Sequence, residues 1–264
     1  MRCWVGGVAV LGPGLPGWRA SETVLAGADP WTPADVVVPP PAMLPATERR
    51  RTSLAVRLAL AAAAEAASGE ADAAALETVF ASSNGDGAVV GAILETLTDP
   101  AGAISPTQFH NSVHNAAAGY WGIGTGSTSP SVSVGGHDDT VAAGLLQAAA
   151  AASARRRRVL FCAYDAPLPP PLSAVRRTTV PFATAMVMLP EPDASARAAL
   201  DLRFGPGPAE APQEGRDALD ALGAENPAAR ALPLLRALAA RRPAALRLPM
   251  LGDSCLEIEV SPWG

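Results

Sequence analysis

Residues 104–151 read ISPTQFHNSVHNAAAGYWGIGTGSTSPSVSVGGHDDTVAAGLLQAAAA, and this stretch decides the fold. Ser105-Pro106 has the form of a helix start, with a hydroxyl at the cap and proline in the first turn, where its missing N–H costs nothing. A helix is expected from Pro106 to Tyr120. Phe109, Val113, Ala116 and Ala117 recur at helical spacing and form its expected buried stripe. The glycines at 119, 122, 124 and 126 are read as ending that helix and permitting tight turns. Ser131-Val132-Ser133-Val134 alternates small polar and β-branched residues, the pattern of a short strand. A second helix is expected from about Thr140 to Ala154.

Helix, glycine-rich turn, strand, sharp turn and helix together have the form of a nucleophile elbow. Yet the turn itself is Gly135-Gly136-His137-Asp138-Asp139, with neither Ser nor Cys. A cysteine at this helix start would have a lowered pKa, whereas an Asp there is stabilised as a cap and is a poor acyl acceptor. Asp138 and Asp139 are therefore read first as caps. Metal binding by His137-Asp138-Asp139 is disfavoured, because three adjacent residues at a turn seldom converge on one ion. Ser112 and His114 stand two apart on a helix and point away from each other, which argues against a hydrolytic pair.

The 264 residues suit one large domain or two small ones, and a hydrophobic content of 49% supplies ample core. A net charge of −5, without basic stripes interleaved with aromatics, argues against a nucleic-acid surface. No apolar run is long enough to span a membrane. The opening MRCWVGGVAVLGPG is broken by glycine and proline and is read as a first core strand, Cys3 to Val10, rather than a signal peptide. Cys3, Cys162 and Cys255 are odd in number, far apart and set in apparent strands. Reduced buried thiols and a cytoplasmic location are expected.

Further along, residues 12–46 form an extended loop, and a helix is expected from about Thr47 to Ser68. Arg49, Arg50 and Arg51 near its start are read as a solvated face rather than a carrier-protein contact. Leu76–Ser83 reads as a buried strand, and the Asn84-Gly85-Asp86-Gly87 turn lacks the lysine and spacing of a nucleotide loop. Val89–Thr98 is a helix, and Arg155–Arg158 closes the helix after the elbow. Strands follow at Val159–Tyr164, Phe182–Leu189 and Leu200–Phe204. A Pro/Gly/Glu-rich loop lies within Asp193–Asn226. Asn226-Pro227 starts a helix to about Ala240, which Pro233 kinks or restarts. A closing hairpin joins Leu246–Leu248, ended by Pro249, to Cys255–Val260 around Gly252-Asp253. Apolar strands alternating with helices imply a layered α/β domain.

The segments ISPTQFHNSVHNAAAGYWGI and SPSVSVGG, together with PAMLPATERRRTSLAVRLALAAAAEA and VFASSNGDGAVVGAILETL, resemble β-ketoacyl synthases of the thiolase fold in order and spacing. The resemblance covers residues 1–190 and implies a layered α/β fold with a mixed sheet. That half is complete, and residues 191–264 leave room for only an abbreviated second half. Aligned on the helix that follows, the family cysteine falls on His137 or on Asp138. The histidines of the family's second half are also absent, since the only three are His110, His114 and His137. Losing both removes the covalent and the decarboxylation steps together.

The resemblance thus implies a subunit without activity of its own, of the chain length factor type. Its implied partner is an active β-ketoacyl synthase in type II polyketide, aryl polyene or fatty acid assembly, with acyl carrier protein reached through the complex. Neither cofactor nor metal is implied. Phe109, Ser112, Val113 and Ala116 are the residues expected to face the partner's acyl tunnel, with Phe109 as the bulky stop. His114 is expected in an interface hydrogen-bond network, and Val132 and Val134 on a strand pairing across the interface. Two other readings stay open: a stand-alone acyl-thioester enzyme using His137 and Asp138, and a homodimeric acyl-binding scaffold.

Overall fold

The computed structural model describes residues 1–207, 217–250 and 252–264. The chain runs through β1 (Arg2–Leu11), α1 (Trp18–Leu25), α2 (Ala46–Arg49), α3 (Leu54–Ala66), β2 (Glu77–Ala81), α4 (Gly87–Thr98), α5 (Pro106–Ser112), α6 (Ala116–Thr125) and β3 (Ser131–Val134). It continues through α7 (Thr140–Arg155), β4 (Val159–Asp165), α8 (Leu172–Val175), β5 (Phe182–Leu189), β6 (Ala198–Pro206), α9 (Leu222–Glu225), α10 (Leu232–Ala240), β7 (Ala244–Met250) and β8 (Ser254–Pro262).

All eight strands join one mixed sheet in the order β3-β2-β4-β5-β1-β6-β8-β7. β3, β2 and β4 are parallel to one another, and every other pairing is antiparallel. Residues 191–264 thus extend the same sheet beyond β1. Every residue of β2, β4 and β5 is buried, as strands covered on both faces require. The period of two divides β4 between two cores. Val159, Phe161 and Ala163 belong to the core that includes α7 and α10, while Leu160, Cys162 and Tyr164 belong to the core that includes α3 and α6. The layered α/β architecture expected from the alternation of elements is the one observed.

Alanine sets the layer spacing. α3 buries Ala55, Ala59, Ala62, Ala63 and Ala66 against the sheet, close enough that a Cβ on Gly7 would sit 1.9 Å from the Ala66 carbonyl oxygen. Gly144 serves α7 in the same way: a Cβ there would lie 2.7 Å from Ala81 Cβ and 2.8 Å from Phe161. All three cysteines are buried free thiols. Burial pushes the Cys3 thiol up to about 12.

Several expected boundaries change. The helix read from Thr47 to Ser68 is two, because Ser53 takes extended backbone and caps α3 through the Val56 N–H. The helix read from Pro106 to Tyr120 also breaks: Val113 is extended (ψ 140°), separating α5 from α6. Gly119, Gly122 and Gly124 therefore lie inside α6, and Gly126 alone ends it, in the left-handed region (φ 73°). After Asn226 a 3₁₀ turn spans Pro227–Ala231, and Pro233 marks the second start, in the first turn of α10. Pro249 does not end its strand but pairs with Cys255 on the outer strand β7, an edge where its missing N–H is tolerated. Part of the loop read within Asp193–Asn226, at 208–216, and residue 251 of the hairpin turn lie outside the described residues.

Candidate functional site

The site forms at the carboxyl ends of the three parallel strands, where crevices open in sheets of this kind. Ser82–Asp86 leaves β2, Gly135–Asp139 leaves β3, and Asp165 ends β4 before a segment that returns through Arg176 and Thr178. In the β3 turn, His137 takes a left-handed backbone (φ 52°), a conformation that costs a non-glycine residue and is found at constrained sites. A 3₁₀ turn over His137–Asp139 then feeds directly into α7. The elbow geometry is present, with His137 at its left-handed position.

The two aspartates do not act as the expected caps. Neither side chain accepts a hydrogen bond from the start of α7. Thr140 ties the turn instead: its Oγ1 accepts from Gly136 N at 2.9 Å and donates to the His137 carbonyl at 2.7 Å. Asp138 is drawn away by arginines. Arg176 Nη2 donates to Asp138 Oδ1 at 2.7 Å, and Arg230 Nη2 to Oδ2 at 3.0 Å. Partial burial acts to raise the Asp138 pKa, but the Arg176 hydrogen bond and the Arg230 and Arg176 charges outweigh it, leaving the group below its ordinary value.

Arg176 is the hub. Its Nη1 donates to His137 Nε2 at 2.7 Å, its Nη2 also reaches Ser83 Oγ at 2.6 Å, and its Nε donates to Asn84 Oδ1 at 2.9 Å. One guanidinium therefore ties the ends of β2 and β3 to the segment after β4. Behind it lies Asp165, wholly buried. The Asp165 carboxylate accepts from Ser82 Oγ (2.8 Å), Asn84 N (3.0 Å) and Ser83 N (3.3 Å), fixing the backbone that presents Asn84. Burial pushes Asp165 up to about 6, against the pull of those hydrogen bonds and the Arg176 charge. Asn226, also fully buried, donates to the Asp165 carbonyl and caps the turn that carries Arg230.

The residues singled out in the sequence divide between two places. His137 and Asp138 are in this cluster, and His114 borders it, with Nε2 2.9 Å from the Ser82 carbonyl. Phe109 and Val113 are not buried as the stripe reading required: they are 68% and 46% exposed. The break at Val113 shifts the helical phase, so α5 buries Asn111 instead, which donates to the Arg51 carbonyl and accepts from Tyr120. Ala116 and Ala117 are buried as expected, and Ser112 is half-buried with its hydroxyl on the Phe109 carbonyl. Val132 and Val134 lie on β3, in register with Val79 and Ala81, and pack against the core.

Sequence reasoning missed Arg176, Arg230 and Asp165. Arg176 sits in a proline-rich stretch without periodicity, and 38 residues separate it from Asp138, so no local pattern joins them.

Three parallel strands, with β2 and β4 buried throughout, end in a left-handed elbow before a helix, a layout shared with thiolase-like proteins. The model of the β-ketoacyl synthase N-terminal domain matches residues 21–249, and the chain belongs to that family. Its fold is similar to that in the structure of a ketosynthase (ApeO) in complex with its chain length factor (ApeC) from Xenorhabdus doucetiae. There the identity is 21% and the TM-score 0.74, over 99% of each chain. The ishigamide ketosynthase/chain length factor is similar at 15% identity and TM-score 0.75 over the full length of both chains. The ketosynthase from module 6 of the bacillaene synthase from Bacillus subtilis 168 aligns at 13% identity and TM-score 0.56, over 81% of this chain but 45% of that one. No curated protein matches the sequence.

Proposed function

We propose that this chain is a non-catalytic subunit of the chain length factor type. It pairs with an active β-ketoacyl synthase in type II polyketide, aryl polyene or fatty acid biosynthesis and shapes that partner's acyl tunnel. The observation that carries the reading is helix α4. Its sequence, GAVVGAILETLT, is apolar almost all round, yet within the chain it buries only Gly87 and Gly91. A soluble helix with such a surface requires a cover.

The uncovered region continues across neighbouring elements. α4 packs against α5, α5 against α6, and α6 against β3. Leu94 and Leu97 of α4, Phe109 of α5, Val113 between α5 and α6, and Ile123 of α6 are all exposed. Among the described residues, β3 ends the sheet with one edge unpaired by any strand. Beside it runs a groove of about 740 Å³ lined by Gly119, Gly122, Ile123, Ser131 and Ser133. A partner strand added to β3 would place Val132 and Val134 in the interface and bring Phe109, Ser112 and Val113 toward the partner's tunnel. Ala116 faces the chain's own core and supports α6 from behind.

The elbow supports the same reading. It carries His137 and Asp138 in place of a thiol, and Arg176 donates to the His137 nitrogen whose lone pair a general base would use. That contact disfavours the stand-alone thioester enzyme. The test is co-expression with the ketosynthase encoded nearest to this chain, with mass by light scattering and extension assayed with malonyl carrier protein. A one-to-one complex that extends chains only when both subunits are present is the expected result. A homodimer indifferent to any ketosynthase would return the scaffold reading, and thioester turnover lost in His137→Ala would return the enzyme.

A further inference from the structure

Asp138 is held in an unusual way for a surface aspartate. Each carboxylate oxygen has its own guanidinium, Arg176 on Oδ1 and Arg230 on Oδ2. Arg176 is fixed from other directions, so it does not depend on Asp138 for its position. Arg176 is anchored by Asn84, Ser83 and His137, and its side chain is only 19% exposed. Arg230 stands on the turn capped by buried Asn226, with Asp139 3.8 Å from its other amino group. The positive end of the 16-residue helix α7 lies immediately below.

Two guanidiniums, Arg176 preset by its other partners and Arg230 carried on the capped turn, above a helix N-terminus make a receptor for one carboxylate. We propose that this elbow is a carboxylate-binding pocket whose ligand is built in: the Asp138 side chain fills it and keeps small carboxylates out of this chain. The inference goes beyond the pairing proposed above and does not require it, since pairing is read by light scattering and pocket occupancy by ligand binding.

Removing the internal ligand while keeping the arginines tests it, with acetate as probe, the molecule nearest to the deleted side-chain group. The Asp138→Ala chain is expected to bind acetate about ten-fold or more tighter than the native chain by calorimetry, and acetate is expected to raise its lowered melting midpoint. Asp138→Ala combined with Arg176→Ala is expected to lose both effects. Sulfate serves as the comparison anion, and a rescue by sulfate equal to that by acetate would show general charge screening and overturn the proposal. A folded Asp138→Ala chain without acetate binding would overturn it as well. Should that variant not fold, the native chain still decides the matter through the Arg176 Nε–H resonance. That signal is expected to stay unmoved at millimolar acetate, and a saturable shift would show that the pocket is not filled from within.

Discussion

The two edges of the sheet are built on opposite plans. β7, at one end, carries Arg247 and Pro249, and Arg247 approaches Glu257 of β8 at 3.6 Å. Toward β1, Arg203 pairs in register with Glu257, Asp201 lies opposite Glu259, and Arg2 binds Asp201. Charge and proline of this kind keep an edge from accepting another strand. β3, at the other end, has no charge and no proline in Ser131–Val134, and it packs against α6, which exposes Ile123. The contrast shows that the open edge at β3 is not a general property of the sheet. The β7 edge carries features that oppose pairing, and β3 lacks them.

The largest expected effect tests that contrast directly. Val132→Asp should weaken association with the proposed ketosynthase partner by about a hundred-fold or more, because a buried unpaired charge is costly, while Ala245→Lys on β7 should leave it unchanged. Light scattering of the two variants reads this, and equal losses would break the comparison.

A second test asks what the site contributes apart from the edges. Asp165 is raised from 3.8 to about 6 in the folded chain, so the folded state holds its proton more tightly than the unfolded one. Its stabilising contribution is present below about pH 4 and declines as pH rises through 6. Relative to Asp165→Asn, the native chain should therefore lose about 2 kcal/mol of stability between pH 4 and pH 7, as measured by denaturant unfolding at each pH.

Gly144→Leu should cost about 1–3 kcal/mol by overpacking α7 against Ala81 and Phe161, far from the polar edge. Its unfolding midpoint separates lost fold from lost surface. The smallest effect on stability belongs to Phe109→Ala, within about 0.5 kcal/mol for so exposed a side chain. Its informative readout is product length in the reconstituted complex. Longer products with the complex intact are expected, and unchanged length would remove Phe109 from the tunnel.

Much of the fold was legible because it is written in local pattern. β5 runs from Phe182 to Leu189, where the apolar run predicted it, and the capping box of Ser105 and Gln108 starts α5. The breaks were harder to read. Ser53 and Val113 sit within helix-compatible sequence, and only the packing of α3 and α6 against the sheet shows where each helix must restart. The stripe through Phe109 failed for the same reason, since a phase shift of a few residues turns a buried position outward.

The sequence by itself determined the strands, the elbow and the missing thiol, because periodicity and residue chemistry are properties of neighbours along the chain. Only the tertiary structure decided that Asp138 pairs with Arg176 and Arg230 instead of capping α7, that Asp165 is buried behind them, and that α4 is left largely uncovered while β3 ends the sheet. Those outcomes depend on groups 38 to 92 residues apart meeting at strand ends. An ion pair follows distance in space, and the order of strands in the sheet sets that distance.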